Sequence, residues 1–61
     1  MDFQESVAEY LKHHTAREMA DYCECIPSSV TRWALGISKP LPGMQREIIN
    51  YIDELRVKES W

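Results

Sequence analysis

The chain has 61 residues, 44% hydrophobic and 28% charged, with 10 acidic against 7 basic side chains and a formal net charge of −3. That length argues for one small domain and against multi-domain assemblies and enzymes built around deep pockets, since a second core needs roughly another hundred residues. With only 2 Gly and 3 Pro, linker-like, collagen-like and disordered character do not fit either.

The first helix is expected over about 3–12. Asp2 serves as N-cap with Glu5 three residues on, and Phe3, Val7, Tyr10 and Leu11 form one apolar stripe at helical spacing. His13-His14 is a short linker. Thr15-Ala16-Arg17-Glu18 reads as a capping box that starts a second helix over 15–24, with Met19, Ala20 and Cys23 on its inner face. Pro27 suits a first helical position, where its missing N–H costs nothing, so a third helix is expected over 27–35. Val30, Trp33 and Ala34 are its apolar face, and Gly36 is placed to end it in a left-handed conformation. Lys39-Pro40-Leu41-Pro42-Gly43 interrupts helix. Met44, Ile48, Ile52 and Leu55 then define a fourth helix over 43–56, and the tail 57–61 is expected to fray. Nothing alternates with period two, so the expected fold is all-α, a compact domain of four to five helices.

No apolar run approaches the ~20 residues of a membrane helix. The opening Met1-Asp2-Phe3-Gln4-Glu5 is acidic where a secretion signal is basic. A cytoplasmic protein with reduced cysteines is the expectation. Self-association is also expected, because a domain this small buries only about 60% of its unfolded surface.

The net acidity argues against a nucleic-acid partner, but its distribution argues the other way. Residues 1–11 carry Asp2, Glu5 and Glu9 and no base, whereas from Cys25 to Arg46 there is no acid, only Arg32, Lys39 and Arg46 with the hydroxyls of Ser28, Ser29, Thr31 and Ser38. Such segregation gives an acidic chain one electropositive face. The same window holds two short helices separated by about three residues, which is helix-turn-helix spacing.

At these residues the chain resembles the lambda-repressor/Cro-like helix-turn-helix domains. The match runs through Met19-Ala20, Cys23, Cys25, Pro27-Ser28-Ser29-Val30-Thr31-Arg32-Trp33, Gly36, Lys39-Pro40 and the apolar helix from Met44 to Ile52. It is ungapped from Met19 to Pro40 and covers residues 3–55 with the outer helices. Ala20 stands where the two helices of the motif cross closely, Val30 plugs the space between them, and Trp33 lies across its edge. Three departures stand out. Glu24 occupies the turn position where the family usually has Gly, Ile26 stands where it has a polar N-cap so that Ser28 becomes the candidate cap, and Leu35 and Ile37 are apolar where it is polar or basic.

The resemblance implies double-stranded DNA as partner, with the third helix in the major groove and Pro27, Ser28, Ser29, Thr31 and Arg32 meeting base edges. Arg32 is the strongest of these, since guanidinium can bond guanine O6 and N7 together. Thr15, Arg17, Ser38 and Lys39 are the expected phosphate contacts. A repressor of phage or prophage type, acting as a homodimer on a pseudopalindromic operator, is the implied function, with Ile49, Tyr51, Val57 and Trp61 as candidate interface. The rival reading is a protein-binding module, an antirepressor or modulator, that uses the apolar Ile26, Leu35 and Ile37; an excisionase-like architectural DNA binder is the third.

Cys23, Cys25, His13 and His14 are zinc-competent side chains, but not at the spacing of a zinc finger, and both cysteines hold apolar positions of the motif. No metal or other cofactor is expected. A Cys-His nucleophilic pair without any signal for an oxyanion hole gives no basis for catalysis.

Overall fold

The computed structural model describes residues 2–61 as four helices: α1 Phe3–Tyr10, α2 Ala16–Cys23, α3 Pro27–Leu35 and α4 Pro42–Glu59. Local chemistry starts each one. The Glu5 amide donates to Asp2 Oδ1 at 2.8 Å, capping α1. In α2 the box closes reciprocally: the Glu18 amide donates to Thr15 Oγ1 at 3.2 Å and the Thr15 amide to Glu18 Oε1 at 2.9 Å. α3 and α4 both open on proline without a side-chain cap. Ser28 therefore does not replace the missing cap at Ile26, and α3 begins at Pro27 itself, where only the Ser29 amide turns back to the Ile26 carbonyl.

Two boundaries differ from the sequence reading. α1 stops at Tyr10 rather than near Lys12, because the Lys12 and His13 amides bond three residues back, to Glu9 and Tyr10, and tighten the chain into a turn. α4 runs to Glu59, so residues 57–61 do not fray. The Ser60 and Trp61 amides both close on the Arg56 carbonyl, and Ser60 ends the helix in the left-handed region at φ 54°.

α3 is the centre of the packing, resting on both α1 and α2, while α4 closes over α1. The core is Phe3, Val7 and Tyr10 from α1, Met19 and Ala20 from α2, Val30 and Trp33 from α3, and Ile48 and Ile52 from α4. Phe3 and Trp33 pack at 5.8 Å between ring centres. Ala20, 1% exposed, is the small residue on the inner face of α2. Outside the core, Arg56 ties α4 to α1: its Nη2 and Nε donate to Glu9 Oε1 at 2.6 and 2.9 Å, and Asp53 takes its Nη1.

The connection between α2 and α3 is three residues, Glu24 to Ile26. Glu24 adopts φ 57°, ψ 45°, and its amide and that of Cys25 both close on the Ala20 carbonyl. A side chain in that region costs roughly 1–2 kcal/mol, so the turn keeps the geometry that glycine normally supplies and carries the strain of doing so with glutamate. At the far end of α3, Gly36 has φ 76°, and a Cβ there would meet Gln4 Oε1 at 2.7 Å. Here glycine is required by the backbone, whereas the Gln4 amide, the far end of an exposed flexible side chain, can give way.

Glu24→Gly should raise stability by about 1 kcal/mol by relieving the left-handed glutamate. Ile52→Ala should cost about 2–5 kcal/mol, the usual range for truncating a fully buried isoleucine. Urea unfolding followed by circular dichroism reads both.

Candidate nucleic-acid interface

α3 buries only Val30 and Trp33. The rest of its circumference follows from helical spacing: Pro27, Thr31 and Leu35 form one exposed row at i, i+4 and i+8, and Ser28 and Arg32 the adjacent exposed row. Ser29 is half-buried and turned off this face, so four of the five expected base-reading residues stand together. Thr31 is exposed, but its hydroxyl donates to the Pro27 carbonyl at 3.4 Å.

The Arg32 side chain makes no hydrogen bond or ion pair with any described residue, and the same holds for the side chains of Arg17, Lys39 and Arg46. Their guanidinium and ammonium groups are exposed and uncommitted. The contrast with Arg56 and His14 is sharp, since both of those are held by two carboxylates each. The paired groups lie where α1 and the α1–α2 linker meet α4, while the unpaired bases are spread along the chain: Lys12 after α1, Arg17 on α2, Arg32 on α3, Lys39 and Arg46 beyond it, and Lys58 in the last turn of α4.

The expected phosphate contacts divide. Ser38 and Lys39 are exposed beyond α3 and line a cleft of about 410 Å3 whose other walls include Gln4, Trp33 and Gln45. Asp2 also lines it, an acid that the sequence places far from Lys39 and the fold brings to the same cleft. Arg17 is exposed on the first turn of α2. Thr15 is not an open donor: its hydroxyl donates to Glu18 Oε1 at 3.1 Å, and the Glu18 carboxylate sits over the start of α2 where an anion would dock. The Thr15 amide, and after it His14, hold the Glu18 carboxyl below its usual range.

Apolar surface borders the same face. Ile26 is 60% exposed, Leu35 63% and Ile37 69%. Leu41, 80% exposed, stands instead in the turn before α4, on a separate cleft that Met44, Arg46 and Glu47 also line.

The candidate dimer residues are largely absorbed by the monomer. Tyr51 is half-buried and its ring stacks on Tyr22 with centres 4.1 Å apart. Trp61 stacks on His13 at 4.4 Å. Ile49 packs against the core, and Val57 alone of the four is fully exposed, at 81%. Cys23 and Cys25 are free, partly buried thiols. Burial pushes Cys23 up to about 11 and Cys25 upward as well, which keeps both protonated near neutrality. Among the described residues no three His, Cys, Asp or Glu side chains are grouped to hold a metal, and no helix is long and apolar enough to cross a membrane.

Comparison of the chain with models of protein families, with curated proteins and with solved structures found no match.

Thr15→Ala should lower stability by about 1 kcal/mol, within the ~0.5–2 kcal/mol range for a lost N-cap. The midpoint of a urea transition with unchanged slope checks it.

Proposed function

We propose that this chain is a sequence-specific DNA-binding regulator, without catalytic activity and acting in the cytoplasm, that presents α3 to the major groove. The observation that carries the reading is the state of Arg32: exposed, unpaired, and set on the outward face of α3 within a stretch from Cys25 to Arg46 that contains no acid. Guanidinium in that position has no structural partner to satisfy and the fork geometry to bind guanine. Ser28, on the same row one turn earlier, and Pro27 offer a hydroxyl and an apolar contact to neighbouring bases. Arg17 and Lys39 supply phosphate contacts on either side. One arginine per recognition helix is a small store of specificity, so the function requires two helices, as in a homodimer on a pseudopalindromic site. Repression by occlusion is the simplest output of such binding.

A second reading is favoured by Ile26, Leu35 and Ile37, which together put more apolar surface around α3 than phosphate binding uses. In that reading α3 docks a protein partner.

DNA selected from a random pool separates the two. Arg32→Ala should lower affinity by about 1–3 kcal/mol and relax preference at one base pair, and Lys39→Ala should reduce the slope of log affinity against log salt by about one. Selection that enriches no sequence, with Leu35→Ser and Ile37→Ser altering association with a protein partner and Arg32→Ala altering nothing, decides for the second reading.

A further inference from the structure

His13-His14, the linker between α1 and α2, is no part of the proposed DNA face. Its surroundings are unusual. His14 Nδ1 lies 3.0 Å from Glu18 Oε2, and His14 Nε2 lies 2.7 Å from Glu59 Oε1. The imidazole is stacked on Tyr10, ring centres 5.1 Å apart, and is only 19% exposed. Neutral imidazole has a single N–H, whereas two carboxylate oxygens on its two nitrogens require two. The geometry is that of the imidazolium. Loss of a proton leaves a ring lone pair facing a carboxylate, and one of the two contacts must open.

Which one opens follows from what else holds each acid. Glu18 is secured independently by the Thr15 amide and hydroxyl at 2.9 and 3.1 Å. Glu59 has, besides His14, the Trp61 indole N–H at 2.8 Å, and Trp61 moves with it. Glu59 is also the last residue of α4, where the helix dipole disfavours a negative charge. The weaker attachment is therefore the one to α4.

We propose that His14 is a protonation-dependent latch that fastens the C-terminal turn of α4, with Trp61, to the corner between α1 and α2, and that its deprotonation releases that turn. The groups facing the imidazole are Glu18 from α2, Glu59 from α4 and Tyr10 from α1, with His13 beside it in the linker, stacked on Trp61. Tyr10 stays neutral over the relevant range, because burial raises its phenol. The hydrogen bonds to Glu18 and Glu59 raise His14 above its ordinary 6.5. A histidine raised in the closed state contributes its attachment fully below the ordinary value and loses it as pH climbs through the raised one. Release uncovers the half-buried Trp61 indole and the part of the Tyr10–His14 stack that it shields.

The test follows His14 ring nitrogens, the Trp61 indole N–H and amide hydrogen exchange by NMR from about pH 5 to about pH 9, the span over which histidine titrates. A His14 midpoint above 6.5 is expected, with the Trp61 indole resonance moving at the same midpoint. Protection factors at Ser60 and Trp61 should fall about tenfold for each unit by which His14 is raised. Amides of Val30 and Ile52 should keep theirs, which separates local release from global unfolding. In His14→Gln the low protection should be present at every pH, and in Glu59→Gln the Trp61 signal should no longer follow His14. A His14 midpoint at or below 6.5, or a Trp61 signal and end-turn protection that stay constant through the His14 titration, overturns the latch.

Discussion

Everything the surface can do depends on how little of α3 is buried. Val30 and Trp33 are its only fully buried residues, and they are gripped from two sides, by Met19 and Ala20 of α2 and by Phe3 and Val7 of α1. A helix held by so narrow a stripe projects the remainder of its circumference outward, and the small side chain at Ala20 lets the neighbouring helix approach closely enough to fix its tilt. The left-handed Glu24 and Gly36 then terminate the two helices sharply, so that the turn before α3 and the loop after it do not cover the exposed face. The core thus does more than stabilise: it determines that Arg32, Ser28, Thr31 and Pro27 point the same way.

Charge is arranged on the same logic. A chain of net charge −3 repels phosphate as a whole. The fold offsets this by spending acids on intramolecular partners: Glu9 and Asp53 on Arg56, Glu18 and Glu59 on His14, Asp2 and Glu18 on helix N-termini. Lys12, Arg17, Arg32, Lys39, Arg46 and Lys58 are left over. With no acid between Cys25 and Arg46, local potential at α3 is more positive than composition suggests, although Asp2, on the cleft that Lys39 also lines, works against it.

Much of this was legible in the sequence because the signals are local. Capping at Asp2 and Thr15, proline at the start of α3, glycine at its end, and the apolar stripes that became the core all lie within one or two helical turns. Glu24 was legible as a departure, and the structure resolves it by putting glutamate into the glycine conformation. What could not be read shares one cause, sequence distance. Arg56 meets Glu9 and His14 meets Glu59 across 47 and 45 residues, and no periodicity announces such pairs. The same distance hid the end of α4: read alone, Val57 to Trp61 is a short tail, and its contacts back to the linker, Glu59 on His14 and Trp61 on His13, lie more than forty residues away in the chain. At the candidate interface the exposed row of α3 was legible, but the inward turn of Ser29 and the competition of Glu18 for the start of α2 were not.

α1 touches three of these regions. Gln4, in its first turn, lies under Gly36 and reaches the Ala34 carbonyl at the end of α3; Glu9 holds Arg56; Tyr10, its last residue, stacks on His14. It is a strut of two turns, about 12 Å long at ~1.5 Å per residue, with the base of α3 at one end and the histidine at the other. A ligand on α3 and a proton on His14 thus act on one short rigid element. Whatever free energy passes between them is reciprocal: a partner favoured by the protonated molecule must, on binding, make His14 harder to deprotonate by the same amount.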